Sequence, residues 1–230
     1  MLLIALCSVF GFAAQKKQKV IQVNVSAVLN ARPVTVLNHG KLFTWTKGID
    51  GNGAGDGYLT MSAALFNGDK TPHALPDEPV YKANAFHPEI ILHYSNNDTS
   101  GNQARSVSGE DSFTLKMPAH KYSALYICLT SAEGPSRLMF QLVYTGGVEA
   151  KEIVLPDYYN DVAQTTPEIV YVAHDLAKWG NKNNMTETDH HNIDAAVIHP
   201  DEKRVLTAIK IIKGKAGYLV FWGAAGTTAE

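Results

Sequence analysis

Between Trp45 and Tyr58 the chain reads DGNGAGDG over residues 50–57, four glycines interleaved with Asp50, Asn52 and Asp56. Three readings fit a loop of this kind. A phosphate cradle sets its glycines between a strand and a helix and follows them with Gly-Lys-Ser/Thr. Here the loop runs into YLTMSAALF with no such lysine, and phosphate is excluded. Calcium asks for hard oxygens, which Asp50, Asn52 and Asp56 supply, and glycines let backbone carbonyls turn inward; the spacing, however, is not that of an EF-hand and no acidic residue closes it at position twelve. The third reading is a solvated turn, and ligand type alone does not separate it from a calcium site.

A second cluster is KWGNKNNMTETDHHNIDAAVIH, residues 178–199. Adjacent histidines on a strand point to opposite faces, so His190 and His191 do not chelate one metal there, and no His-x-His occurs in the chain. Trp179 is the stronger lead. An indole on a loop is costly to expose unless it packs or binds, and sugars lay their C–H faces on aromatic planes while polar neighbours fix the hydroxyls. Asn181, Asn183, Asp189 and His190 are the polar neighbours in sequence. Trp45 and Tyr58 flank the glycine loop in the same way, with packing at one end of the fold as the alternative for Trp45. Trp222, inside GYLVFWGA, reads as core.

Signs of catalysis are weaker. There is no Gly-x-Ser-x-Gly and no His-Glu-x-x-His. The carboxylate pairs Glu110-Asp111 and Asp201-Glu202 sit at turns, and a lyase assembled from Arg105, His93 and Tyr94 has no motif to link them. Binding ranks above catalysis.

The elements that must position these residues are strands. Short runs rich in Val, Ile, Tyr and Phe lie at 18–26, 89–94, 111–118, 122–130, 137–145, 150–156, 168–173, 193–199, 205–213 and 217–224, punctuated by Gly, Pro, Asn and Asp. About ten strands at this spacing predict an all-β, two-sheet antiparallel β-sandwich. Phe113, Leu115 and Met117 alternate with polar residues, as expected where one face meets water. YICL and LVFW are apolar at every position, which implies burial on both faces or an apolar surface patch. The loop-rich stretches are 46–88, 95–109 and 174–192, and in a sandwich such loops gather at the ends of the sheets.

Composition bounds the partners. Of 230 residues, 45% are hydrophobic and 18% charged, and the net charge of −2 offers no field to recruit nucleic acid or an anionic membrane. The opening MLLIALCSVFGFAAQ is an apolar run too short to span a bilayer but suits a signal peptide over residues 1–14, leaving one β-sandwich domain over 15–230, secreted to the periplasm or medium. Cys128 would then be the one remaining cysteine, and its flanks Ile127 and Leu129 mark it as packing.

The order of segments from GIDGNGAGDGYLTMSAALF through DSFTLKMPAHKYSALYICLTSAEGPSRLMFQLVYTGG and VLPDYYND to IDAAVIHPDEKRVLTAIKI resembles the galactose-binding-like jelly rolls found beside bacterial glycoside hydrolases. It departs at Gly146-Gly147, where that pattern has Asp-Gly, and at Tyr158, where it has Trp. The resemblance implies a jelly-roll sandwich that binds a polysaccharide or oligosaccharide, and a structural calcium near Asp50, Asn52 and Asp56. The expected function is a secreted, non-catalytic carbohydrate-binding module or accessory domain; the alternative is a jelly-roll polysaccharide lyase or glycoside hydrolase.

Overall fold

The computed structural model describes residues 18–70, 72–162 and 168–229. The expected signal peptide and its cleavage site lie outside them. In chain order the described strands are β1 (Gln18–Gln22), β2 (Val34–Asn38), β3 (Lys41–Phe43), β4 (Tyr58–Leu59), β5 (Val80–Tyr81), β6 (Ile90–Ile91), β7 (Arg105–Ser108) and β8 (Asp111–His120). They continue with β9 (Ala124–Ala132), β10 (Ser136–Tyr144), β11 (Gly147–Leu155), β12 (Ile169–Trp179), β13 (Met185–Ile198), β14 (Leu206–Lys213) and β15 (Tyr218–Ala229). One short helix, α1 (Met61–Phe66), follows β4. Among the described residues no helix is long and apolar enough to cross a membrane.

Two antiparallel sheets face each other. One has the order β1-β15-β9-β13-β12 with β7 also on β15, and the other β11-β10-β14-β8. Alternation decides how the second sheet lies: Leu138, Phe140 and Leu142 of β10 turn inward and are fully buried, while Met139, Gln141 and Val143 turn outward. Phe113, Leu115 and Met117 of β8 and Ile209 and Ile211 of β14 meet Leu125 and Ile127 of β9 across the gap. The β10–β11 hairpin pairs Tyr144 with Gly147, so Thr145 and Gly146 form a two-residue connection, and Gly147 takes φ 134°. This is the expected two-sheet sandwich of jelly-roll kind.

The six-stranded sheet is buried on its other face as well. Val34, Val36, Ile49, Tyr58, Leu75, Ile90, Leu92 and Tyr94, from the segment that connects β1 to β7, pack on Cys128, Ile193, Ala195, Val220 and Trp222. This second cover is the physical reason why YICL and LVFW are apolar at every position. Val220 is fully buried in this outer layer of the core. Burial pushes the Cys128 thiol well above its usual pKa, consistent with packing and not with nucleophilic chemistry.

Residues 174–192, read from sequence as a loop, are mostly strand. β12 and β13 run on as a long hairpin in which Lys178 faces Glu187 and Trp179 faces Met185. Its register shifts repeatedly, with Asp175 and His190 at φ 55° and 76°, so the two-residue alternation that signals a strand is broken there. His190 is exposed and His191 fully buried, the opposite facing expected of strand neighbours.

Phe140 is fully buried at the centre of the sandwich. Phe140→Ala should lower the unfolding free energy by about 3–5 kcal/mol through lost burial and the cavity left behind. A neutral result in urea melts would mean that the inward face of β10 is assigned wrongly.

Candidate functional site

The glycine loop folds back on its own aspartate. The Asp56 N–H donates to Asp50 Oδ1 at 2.6 Å, and the Gly53 and Gly55 N–H groups donate to the Asp50 carbonyl at 2.7 and 3.2 Å. The glycines are a steric requirement. A Cβ on Gly55 would lie 2.0 Å from Asp50 Oδ1, and one on Gly48 would lie 2.2 Å from the Asp56 carbonyl oxygen. Ile49, fully buried, anchors the loop to the outer layer.

With Oδ1 committed to the loop, Asp50 Oδ2 accepts from Lys178 Nζ at 2.9 Å and from the Tyr158 hydroxyl at 3.0 Å. Lys178, 5% exposed on β12, also lies 2.8 Å from Glu187 Oε1 and 3.7 Å from Asp56 Oδ2, and donates to the Tyr158 hydroxyl at 3.1 Å. Asp56 Oδ2 accepts in addition from Thr186 Oγ1 at 2.7 Å. One ammonium thus joins the glycine loop, the β12–β13 hairpin and the turn after β11.

That turn, Pro156-Asp157-Tyr158-Tyr159-Asn160, is tied down by its aspartate. Asp157 Oδ2 accepts from the Gly134 N–H at 2.6 Å and Oδ1 from the Tyr159 N–H at 3.2 Å. The two tyrosine rings stack with centroids 4.7 Å apart and planes 23° apart, and His191 lies 4.9 and 4.7 Å from them. Tyr158 is buried; Tyr159 is 45% exposed, with its hydroxyl donating to Glu187 Oε2.

Burial and pairing set the charges. Burial alone would push the Lys178 ammonium down, but hydrogen bonds to Glu187 and Asp50 outweigh it and hold it above the usual lysine value. Glu187 is likewise held below the usual carboxylate range, its partial burial overcome by hydrogen bonds from Lys178 and Tyr159. Burial and the neighbouring Glu187 raise the Tyr159 phenol. His191 Nδ1 lies 2.7 Å from the Leu176 carbonyl and therefore carries the proton, and burial lowers the ring's pKa. Its Nε2 faces Glu187 Oε2 at 3.3 Å without a hydrogen bond. Nearby on β13, Asp194 is fully buried, neither carboxylate oxygen has a partner among the described residues, and burial pushes its pKa up to about 8.

The aromatics singled out from sequence are in the wrong place to hold a sugar. Trp179 is fully buried with its indole N–H donating to Asp69 Oδ2 at 3.1 Å; its backbone pairs with Gly57, and its carbonyl also accepts from the Trp45 indole at 3.0 Å. Trp45 is 6% exposed and Tyr58 fully buried, its ring stacked on Trp222. These indoles and the phenol ring close the end of the fold, because the hairpin extends far enough to cover them. Asn181 is exposed in the hairpin turn, Asn183 bonds Thr44 at 3.2 Å, and Asp189 pairs with the exposed His190 at 3.0 Å. They border the hairpin and do not surround an aromatic face.

The expected calcium donors divide as well. Asp50 and Asp56 converge, but on Lys178, whose ammonium holds the position between them that a cation would take. Asn52 turns away and accepts from Ser108 Oγ at 2.9 Å. This donor set does not fit a calcium ion. The residues of the lyase alternative lie on opposite faces of the six-stranded sheet: Arg105 rests over Phe113 in the inner core, whereas Tyr94 is buried in the outer layer with its hydroxyl on Tyr81.

Tyr158, Tyr159, Lys178, Glu187 and His191 are the site residues that sequence reasoning missed. The tandem tyrosines of PDYYND were a visible signal. The pairing of Lys178 with Glu187 becomes legible only once the hairpin register is known.

No family model and no curated relative matches the chain. Several solved structures are similar to it, three of which follow. One is the CBM22-1 and GH10 modules of endo-1,4-beta-D-xylanase 10B from Clostridium thermocellum with xylohexaose, at 10% identity, TM-score 0.29, over 60% of this chain and 24% of that one. Another is TmCBM61 with beta-1,4-galactotriose, at 13% identity, TM-score 0.25, over 58% and 75%. The third is CBM28, a module specific for non-crystalline cellulose, at 10% identity, TM-score 0.26, over 65% and 83%. The chain spans about a quarter of the xylanase chain. Overlaps this loose assign no ligand and no residue.

Two measurements test the electrostatics. Lys178→Met leaves Asp50 and Glu187 without their counter-ion and should cost about 3 kcal/mol in urea melts, at the lower end for a broken buried pair because Glu187 is partly solvated; an unchanged midpoint would remove Lys178 as the organiser of this end. For Asp194, the folded state keeps its proton up to about pH 8, while the unfolded chain releases it near the ordinary value of 3.8. Stability is therefore lost as pH rises through that window. Asp194→Asn should stabilise the fold by an amount that grows by up to about 1.4 kcal/mol per pH unit across it, and a difference independent of pH would contradict the assignment.

Proposed function

We propose that this chain is a secreted, non-catalytic carbohydrate-binding module or accessory domain that holds its sugar at Tyr159. The observation that carries this reading is the Tyr159 ring: half-exposed, stacked on the buried Tyr158, and bordered by Glu187. A rigid aromatic plane suits the C–H face of a pyranose, and carboxylate oxygens beside it accept from the hydroxyls. Because the turn is held by Asp157 and the ring by its neighbour, little conformational entropy is lost on binding.

Catalysis fits the same groups less well. A hydrolase needs one carboxyl that keeps a proton beside one that does not; Glu187 is held ionised by Lys178 and Tyr159, and Asp194, the carboxyl that keeps its proton, is fully buried. A lyase needs a free cation for the uronate and a readily ionised base. Lys178 is committed to its carboxylates, and the Tyr159 phenol is shifted away from ionisation.

Affinity electrophoresis on a panel of xylan, β-1,4-galactan and non-crystalline cellulose tests the binding reading. Tyr159→Ala should weaken retention at least tenfold, equivalent to about 1.4 kcal/mol, while Tyr159→Phe, which keeps the ring, should retain most of it. Equal binding by the alanine variant would remove Tyr159 as the platform. Export is tested separately: the secreted protein should begin near Ala14 or Gln15, and an intact Met1 would overturn it.

A further inference from the structure

We infer that the Tyr159 site discriminates by charge, accepting neutral glycans and rejecting those that carry uronate or sulfate groups. This rests on Tyr159 being the binding platform. The carboxylates of Asp50, Asp56 and Glu187 lie 2.9, 3.7 and 2.8 Å from Lys178 Nζ. Three negative charges share one positive charge. His191 adds none at neutral pH, since the ring is fully buried and burial holds its pKa below the usual imidazole value.

The distribution of burial sharpens the imbalance. The Lys178 side chain is 6% exposed, whereas those of Glu187 and Asp56 are 40% and 21% exposed. The more exposed charges beside Tyr159 are therefore carboxylates, while the ammonium, 3.5 Å from the Tyr159 hydroxyl, stays buried. Lys178 cannot swing out to receive an anionic sugar without leaving Asp50, 12% exposed at its side chain, uncompensated. Neutral sugars, whose hydroxyls donate to carboxylates, meet no such repulsion. Asp157 on the same turn and Asp161 just after it add negative charge, and Lys178 Nζ lies 5.5 Å from the centroid of each tyrosine ring.

Matched polymers isolate charge from shape. Polygalacturonate and alginate are each compared with the same polymer after chemical reduction of its carboxyl groups, alongside the neutral panel, in affinity gels at low ionic strength. The expected result is retention by the neutral and reduced polymers and at least tenfold weaker retention by the acidic parents. The gap should narrow with added salt, as screening predicts, and narrow again in Asp56→Asn. Acidic parents that bind as well as their reduced forms would overturn the selectivity while leaving the Tyr159 reading intact. Retention of no polymer at all would remove that reading, and the selectivity with it.

Discussion

The Lys178 ammonium lies buried among Asp50, Asp56 and Glu187, and one end of the molecule is arranged around it. A lone ammonium in this setting would be lost to desolvation; three nearby carboxylates and the Tyr158 hydroxyl make it tolerable. Satisfying it draws together residues far apart in the chain. Asp50 reaches it only because the glycine loop turns sharply, Glu187 because the hairpin register places it opposite, and Tyr158 because Asp157 fixes its turn. The loop, the hairpin and the tyrosine pair are thus one unit.

The same end is closed by buried aromatic rings. Trp45, Tyr58 and Trp179 fill the space between the glycine loop, the outer layer and the hairpin, and their polar atoms are spent mainly on the protein: the Trp45 indole on a carbonyl, the Trp179 indole on a carboxylate. Tyr159 lies outside this plug. Tyr159 keeps its ring partly in water while its hydroxyl is held, a division of roles that an amphipathic ring allows.

The layered build supports this arrangement. A sheet covered on one face by its partner sheet and on the other by the segment between β1 and β7 is rigid across its width. The end of that sheet nearest β12 and β13 therefore presents the site on fixed strands, with the turn after β11 laid against it.

Alternation at Phe113, Leu115 and Met117, continuous apolar runs in YICL and LVFW, and turn residues at the hairpins determined the sandwich from sequence alone, because burial of one or both faces writes a period of two or none into the chain. The inward residues Phe113, Leu115 and Met117 were legible for the same reason. Asp50 and Asp56 were visible as oxygen donors, but not what they hold, since an ammonium 128 positions away leaves no mark on local spacing. The hairpin through 174–192 was hidden because its bulges erase alternation, and with it went the burial of Trp179 and the pairing of Lys178 with Glu187. Local chemistry is set by neighbours in sequence, whereas the choice between a buried indole and an exposed ring, and between a bound cation and a built-in one, was made by tertiary contacts alone.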